Sequence, residues 1–342
     1  MRIVVAETRV PWVRDGANLH AEALVTELRQ RGHDVETVSL PFSGDKGALL
    51  AQASAWRLLD LSSSNGSSID VLIATRFPTY FARHPRKIVW LMHQHRPAYE
   101  LHGTPYTDFG NGDEDMALRQ RLIDLDNRML GECTRVFTNS RNTASRLKRF
   151  NRLSGIPQYH PPPLAGRLRE GPYGDYVLAV SRLESIKRVD LAVRAMAYVP
   201  PPIRLIIVGD GSQRDALERL AGASDAAGRI EITGSVWGED LAMLYSGALA
   251  VIYPPFDEDY GYVTLEAFLS AKPVITATDS GGTLELVRDG QNGFIGRPDP
   301  AVIGQAIARL AADRALAARL GAHGRALAQT ITWDGVVERL LS

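Results

Sequence analysis

Two glutamates, Glu258 and Glu266, are separated by seven residues in the run FDEDYGYVTLEAFL, with Gly261 between them. Residues 251–253 are a short apolar run that stops at Pro254-Pro255. An acidic loop follows, and residues 262–270 then carry apolar side chains at helical spacing, so the stretch reads as strand, loop, helix. That order puts Glu258 at the C-terminal edge of a strand and Glu266 about two turns into the helix, facing the same crevice. A carboxylate there accepts paired hydrogen bonds from neighbouring hydroxyls of a ribose or a hexose. The first-turn amides of Tyr262, Val263 and Thr264 suit a phosphate, and a side chain at Gly261 would block close approach. The competing reading is a pair of helix-start carboxylates stabilised by the helix dipole. Arg182 and Lys187 follow the apolar run 176–181, and paired cations at such a strand edge suit a diphosphate; taken singly they are ordinary surface residues.

The elements that must position these groups are legible as alternating strands and helices. Residues 3–6 form a short apolar run, residues 17–30 place Ala21, Leu24, Val25 and Leu28 on one helical face, and Gly32 caps that helix before a strand at 34–40. This is a βαβ unit of the doubly wound kind. Strands are expected at 71–75, 87–92 and 136–139, each followed by a helical stretch, which makes a parallel sheet the economical reading. Pro161-Pro162-Pro163 and the aperiodic run to Gly174 read as a linker. A second series of strands follows at 176–181, 205–208, 230–233, 251–253 and 273–277, and Ser280-Gly281-Gly282 is expected to enter a further helix. Alanine-rich helices fill 300–329. The expected domains are 1–163, completed by a C-terminal helix at about 332–342, and 164–331.

The run EDYGYVTLEAFLSAKPVI, followed by SGGTLELVRDGQNGFI, resembles the nucleotide-sugar signature of retaining GT-B glycosyltransferases of family 4, the glycosyl transferases group 1. Asp259-Tyr260 stand where that family commonly has Gly-Phe, and Lys272 where it often has Gly. The resemblance implies an α/β GT-B fold: two Rossmann-like doubly wound domains facing an interdomain cleft, acceptor side first and nucleotide-sugar side second. It implies transfer of a hexose from a nucleoside diphosphate sugar, UDP before GDP, to an acceptor hydroxyl with retention, without metal or other cofactor. By the same resemblance Glu266 holds the ribose diol, Glu258 the donor sugar, and Arg182 and Lys187 the diphosphate. Gly261, Tyr262 and Val263 approach the donor, Gly209 lies in a VGDG turn beside the nucleotide, and Gly234 and Val236 line the base. Gly16 matches a glycine-rich loop facing the diphosphate, although Ala17 replaces its second glycine.

Two histidines, His93 and His95, close the strand at 87–92. By residue type they are metal ligands or structural histidines; the family reading makes His93 a functional histidine that holds a sugar hydroxyl or helps to pass the acceptor proton. His95, Arg96 and Tyr99 are acceptor-side candidates. Two rival functions share the fold class: a nucleotide-sugar epimerase or a phosphorylase, and a non-catalytic subunit that binds nucleotide sugars.

Composition excludes some classes. Lys plus Arg equals Asp plus Glu at 39 each, so no global charge argues for nucleic acid. The single cysteine, Cys133, makes neither an internal disulfide nor a zinc cluster and suits a reducing compartment. No signal-like N-terminus and no membrane-length apolar run is present, which points to the cytoplasm with at most a peripheral contact at the inner membrane face. Arg141, Arg146, Lys148, Arg149 and Arg152 read as a solvated helix face, or as a patch for anionic lipid or a phosphorylated acceptor. D-x-D occurs at Asp113/Asp115, Asp124/Asp126 and Asp257/Asp259, but the glutamate framework explains the last better, so no metal is expected.

Overall fold

Near-continuous apolar strands of the type buried on both faces build two parallel sheets. The computed structural model of the chain describes residues 1–12 and 15–342. The chain divides into two compact units, Met1–His160 with Trp333–Ser342, and Pro161–Thr332.

In the first unit the strands are β1 (Arg2–Arg9), β2 (Asp34–Pro41), a small hairpin of β3 (Ser63–Ser64) and β4 (Ser67–Ser68), then β5 (Val71–Ala74), β6 (Lys87–Leu91), β7 (Arg135–Thr138) and β8 (Ile156–Pro157). The sheet runs β2-β1-β5-β6-β7-β8, all parallel. Its helices are α1 (Gly16–Gln30), α2 (Leu49–Leu58), α3 (Asp113–Gly131) and α4 (Arg141–Asn151). In the second unit β9 (Tyr176–Val180), β10 (Arg204–Val208), β11 (Ile230–Gly234), β12 (Ala250–Ile252), β13 (Val274–Ala277) and β14 (Gly293–Gly296) pair in the order β11-β10-β9-β12-β13-β14. Around them lie α5 (Val189–Ala195), α6 (Arg214–Gly222), α7 (Gly238–Gly247), α8 (Tyr262–Leu269), α9 (Pro300–Ala312) and α10 (Arg314–Ala328). The last helix, α11 (Trp333–Leu341), packs Val336, Val337 and Leu340 into the first unit's core beside Ile3, Val5 and Trp90.

Three sequence expectations change. The stretch between β5 and β6 holds only a 3-10 turn, Thr79–Phe81, rather than a helix. Ser280-Gly281-Gly282 enters a single 3-10 turn, Gly281–Glu285, instead of a helix. The basic run of α4 is not uniformly solvated: Arg146 is buried and pairs with Glu100 at 3.2 Å.

Buried titratable groups predict how stability varies with pH. His20 and His160 are fully buried and 3.0 Å apart, edge-on to Trp90. Burial pushes His20 down to about 3 and His160 well below its ordinary value, and it lowers His95 to about 4. The unfolded chain protonates these histidines from about pH 6.5 downward while the folded chain refuses, so stability falls as pH falls through that range. Burial raises Asp126 and Glu266 to about 7, so these carboxyls cost stability as pH rises toward 7. Three groups oppose two between pH 4.5 and 6.5. We therefore expect the melting temperature to fall as pH drops from about 6.5 toward 4.5; a maximum below pH 5 in a melting series would contradict this assignment.

Candidate functional site

The chain order along the second sheet is third, second, first, fourth, fifth, sixth strand, so the direction of connection reverses between β9 and β12. Loops leaving the C-terminal ends of two such strands diverge and open a crevice. The loop after β9 carries Arg182 and Lys187, and the loop after β12 carries Glu258 and Gly261. Glu258 is 9% exposed. Its Oε2 accepts from the Tyr253 hydroxyl at 2.8 Å and forms an ion pair with the Lys187 ammonium. Lys187 also reaches the Tyr253 hydroxyl at 3.5 Å. Arg182 is exposed and has no ion-pair partner among the described residues.

Glu266 faces inward from α8, where its Oε2 accepts from the hydroxyl of fully buried Tyr245 at 2.7 Å. Part of the Glu266 side chain reaches solvent although the carboxyl lies deep, and that depth raises its pKa to about 7, with Tyr245 acting to lower it. Burial and the neighbouring carboxylates likewise push the phenols of Tyr245 and Tyr253 well above their ordinary value, so both remain protonated donors.

The acidic loop is stitched to the chain after β13. Asp257 N–H donates to Asp279 at 2.8 Å, Glu258 N–H to Ser280 at 3.3 Å, and Gly282 N–H returns to the Glu258 carbonyl at 2.7 Å. Arg188 clamps the other side: it pairs with Asp279 through two nitrogens at 2.6 and 2.8 Å and donates to the carbonyls of Pro254 and Pro255 at 2.8 Å each. Gly261 has φ +84° and opens α8; a Cβ there would press on the Thr283 hydroxyl at 3.0 Å and the Tyr253 ring at 3.2 Å, so both its left-handed conformation and its neighbours favour glycine. Of the three first-turn amides, that of Thr264 already donates to the Gly261 carbonyl at 3.0 Å. Tyr262 is half-buried and Val263 buried.

Two other glycines serve packing. A Cβ on Gly209, at φ +139°, would lie 1.8 Å from the Ser181 carbonyl oxygen, so this turn is glycine because the loop after β9 presses on it; the absent side chain clears no space for a ligand. Gly234, at φ +76°, accepts from the Gly209 N–H at 2.8 Å, which ties the end of β11 to the same turn, and Val236 is half-buried just beyond it.

In the first unit the order reverses between β1 and β5. There Arg76, 6% exposed, donates to the Thr8 hydroxyl and carbonyl at 2.7 and 2.6 Å and to Asp15 at 2.8 Å. Asp15 in turn caps α1 by accepting from Ala17 and Asn18 N–H at 3.0 Å each. The N-terminus of α1 is thus already occupied by a carboxylate, which leaves exposed Gly16 only its own N–H for an anion. Beyond β6, His93 is half-buried and its Nδ1 sits 2.6 Å from the Gln94 carbonyl, a contact that in the neutral ring makes Nδ1 the donor and Nε2 the acceptor. His95 behaves differently: it is 7% exposed among the rings of Phe42, Phe77 and Phe109. Arg96 pairs with Glu100 at 2.5 Å. Tyr99 is a core residue, 1% exposed, whose hydroxyl donates to Asp126 at 2.5 Å; this burial turns it away from an acceptor and also removes Asp126 from any D-x-D role. No group of three or more His, Cys, Asp or Glu among the described residues is placed to hold a metal ion. No helix among them is long and apolar enough to cross a membrane.

With this geometry in hand, comparison with known proteins is informative. Residues 169–327, nearly all of the second unit, match the family model for glycosyl transferases group 1. That match covers a little under half of the chain. The D-inositol 3-phosphate glycosyltransferase of Salinispora arenicola is 33% identical over 192 residues, which are 52% of this chain and 43% of that protein. The namesake from Nocardia farcinica is 30% identical over 238 residues, 62% of this chain and 52% of the relative. The chain thus spans about half the length of the curated relatives it matches. Among solved structures, sucrose-phosphate synthase from Thermosynechococcus elongatus aligns with a TM-score of 0.79 at 18% identity, covering 99% of this chain and 97% of that one. Anabaena HepE, solved with UDP and glucose, aligns at 0.70 and 19% identity over 100% of both chains. At such identities the likeness concerns architecture, which is the GT-B fold.

Several residues of the site carried no signal in the sequence. Tyr245, Tyr253 and Arg188 are ordinary in spacing; the pairing of β9 with β12 brings Arg188 to the loop that carries Glu258, while Tyr245 reaches Glu266 from α7 and Tyr253 meets Glu258 within their own loop. Lys272, in place of the common glycine, is fully buried: its ammonium donates to the carbonyls of Gly171 and Pro172 at 2.8 and 2.9 Å and lies 3.9 Å from the centre of the Tyr173 ring. It fastens the incoming linker and takes no part in the crevice. Gly282 yields a prediction. A Cβ there would meet the Asp259 carbonyl oxygen at 2.3 Å and the Glu258 one at 3.2 Å, so Gly282→Ala must displace the acidic loop. We expect it to cost about 1–3 kcal/mol of stability and to weaken binding of any ligand of Glu258; unchanged melting and unchanged binding in calorimetry would show that the loop yields freely.

Proposed function

We propose that the protein is a retaining, metal-independent glycosyltransferase that moves a hexose from a nucleoside diphosphate sugar, UDP before GDP, to an acceptor hydroxyl. The observation that carries this reading is the ion pair of Lys187 with Glu258 across the reversal between β9 and β12, with Arg182 in the Lys187 loop and each glutamate held by a buried phenol. The naming of the relatives as D-inositol 3-phosphate glycosyltransferases and the UDP and glucose of HepE support it.

In this mechanism Glu266 accepts the ribose hydroxyls and Glu258 a hydroxyl of the donor sugar. Arg182, Lys187 and the N–H groups at the start of α8 take the charge that develops on the diphosphate as the bond from the anomeric carbon to its oxygen breaks. The acceptor oxygen bonds to the anomeric carbon on the same face, and its proton passes to the departing diphosphate oxygen, which conserves atoms and charge and gives retention. His93, through Nε2, holds a sugar hydroxyl or relays that proton. The half-buried Cys133 thiol, which burial raises to about 12, is inert and fits a reducing cytoplasmic setting.

The test is a thermal-shift and donor-hydrolysis screen against UDP-, GDP- and ADP-sugars, with and without EDTA, using Glu266→Ala as control. One donor that stabilises the parent alone and is slowly hydrolysed in EDTA supports the reading. Conversion of the donor to an epimer would support the epimerase instead, binding without turnover would support the non-catalytic subunit, and no binding would remove the reading.

A further inference from the structure

We infer that Tyr245 is a positioning residue for Glu266: its buried hydroxyl holds one carboxylate oxygen of Glu266 so that the remaining acceptor sites face the diol of a bound nucleoside. The inference deepens the nucleotide-sugar reading above and rests on it.

A carboxylate has about four lone-pair sites on two oxygens. Tyr245, fully buried on α7, donates to Oε2 at 2.7 Å, and no described residue donates to Oε1. A glutamate on a helix turns about three torsions, and the single phenol contact removes that freedom before a ligand arrives. Tyrosine suits the task because its ring is rigid and apolar while its hydroxyl is a donor at the far end. The arrangement is repeated at the other glutamate, where Tyr253 donates to Glu258 Oε2 at 2.8 Å. Tyr245 reaches Glu266 from α7 across to α8, whereas Tyr253 meets Glu258 five residues along the loop after β12.

Charge makes the contact consequential. The titratable groups acting on or beside Glu266 are Tyr245 of α7, Tyr253 after β12 and Tyr262 of α8. On its far side α8 meets α10 through Phe268 against Gly324, an apolar contact. Burial alone drives the Glu266 carboxyl up to about 7, and the Tyr245 hydroxyl is the group that opposes it. A diol donates hydrogen bonds and so needs the ionised form. Binding should therefore weaken as pH falls through the Glu266 pKa, and loss of Tyr245's hydroxyl moves that midpoint upward.

The experiment is isothermal titration of the full chain with UDP from pH 6 to 9, for the parent, Tyr245→Phe, Glu266→Gln and the double variant, with melting curves to confirm folding. We expect Tyr245→Phe to weaken UDP by about tenfold at pH 7, the effect of one hydrogen bond to a charged group, to move the pH midpoint upward, and to have no further effect in the Glu266→Gln background. If the parent binds UDP but Tyr245→Phe leaves affinity and midpoint in place, or its effect persists undiminished with Gln at 266, the positioning role is overturned while the donor reading stands. Should Tyr245→Phe fail to fold, Tyr245→Trp, which keeps a ring N–H donor, replaces it, and retention of the parent's midpoint by that variant supports the role while an upward shift counts against it. If UDP, GDP and ADP all fail to bind the parent, the nucleotide-sugar reading falls and takes the inference with it.

Discussion

Lys187→Ala is expected to lower donor hydrolysis by about 10²–10³-fold, the usual cost of removing one preorganised charge-stabilising group, and to weaken donor binding less, by about tenfold. The asymmetry follows from where the ammonium lies. With the donor absent it is paired with Glu258 and within 3.5 Å of the Tyr253 hydroxyl, so part of its charge is already spent. Charge on the diphosphate grows as the glycosidic bond breaks, and the ammonium answers that growth more than the ground state. The substitution also removes the Lys187 cation from Glu258, 9% exposed, and taking one partner from a buried ion pair is costly. The melting temperature should therefore fall by several degrees. Arg182→Ala separates the two effects, because Arg182 is exposed and unpaired among the described residues: it should weaken the donor without destabilising the protein. Steady-state hydrolysis, calorimetric affinity and melting of both variants decide this. Hydrolysis by Lys187→Ala within threefold of the parent would sink the assignment.

Glu266→Gln is expected to move stability and function in opposite directions. The folded carboxyl titrates at about 7 against an ordinary 4.5. Its folded pKa is raised, so the native state holds the proton longer than the unfolded chain, and stability is lost as pH rises from about 4.5 through 7 and stays lower above. Glutamine never ionises and still accepts from Tyr245, so the ligand-free variant should melt a few degrees above the parent at pH 8 and level with it at pH 5. Donor affinity at pH 8 should meanwhile drop by about a hundredfold, because two charge-assisted bonds to a diol are replaced by a weaker acceptor and a misdirected N–H₂. Melting at the two pH values and UDP titration measure both halves. A variant that is less stable at pH 8, or one that binds UDP as tightly as the parent, contradicts the role given to Glu266.

Some of this was legible before any coordinates. Period-two and period-3.6 apolar patterns report burial directly, which is why the strands at 176–180, 204–208, 250–252 and 274–277 and the helix at 262–269 lie within a residue or two of their expected places. Short elements with little apolar content, such as the serine hairpin of β3 and β4, and α2 with Trp56 on its buried face, left no clear period and were missed. Glycine was legible as a position but not as a reason: Gly209 and Gly282 stand against the backbone of Ser181 and Asp259, contacts between segments far apart in the chain.

By itself, then, the sequence determined which residue types sit at strand ends, because burial period and glycine placement are local consequences of backbone geometry. It therefore placed Glu258, Gly261, Arg182 and Lys187 in the loops after β12 and β9 and Glu266 on α8, although Glu266 lies just over one turn into that helix rather than two. Only the tertiary structure decided what each of them faces. The reversal between β9 and β12 joins Lys187 to Glu258, the packing of α7 on α8 gives Glu266 its phenol, and an aromatic cage around His95 leaves His93 as the more open ring. Those outcomes depend on contacts between residues tens of positions apart, whose desolvation and charge pairing no local pattern encodes.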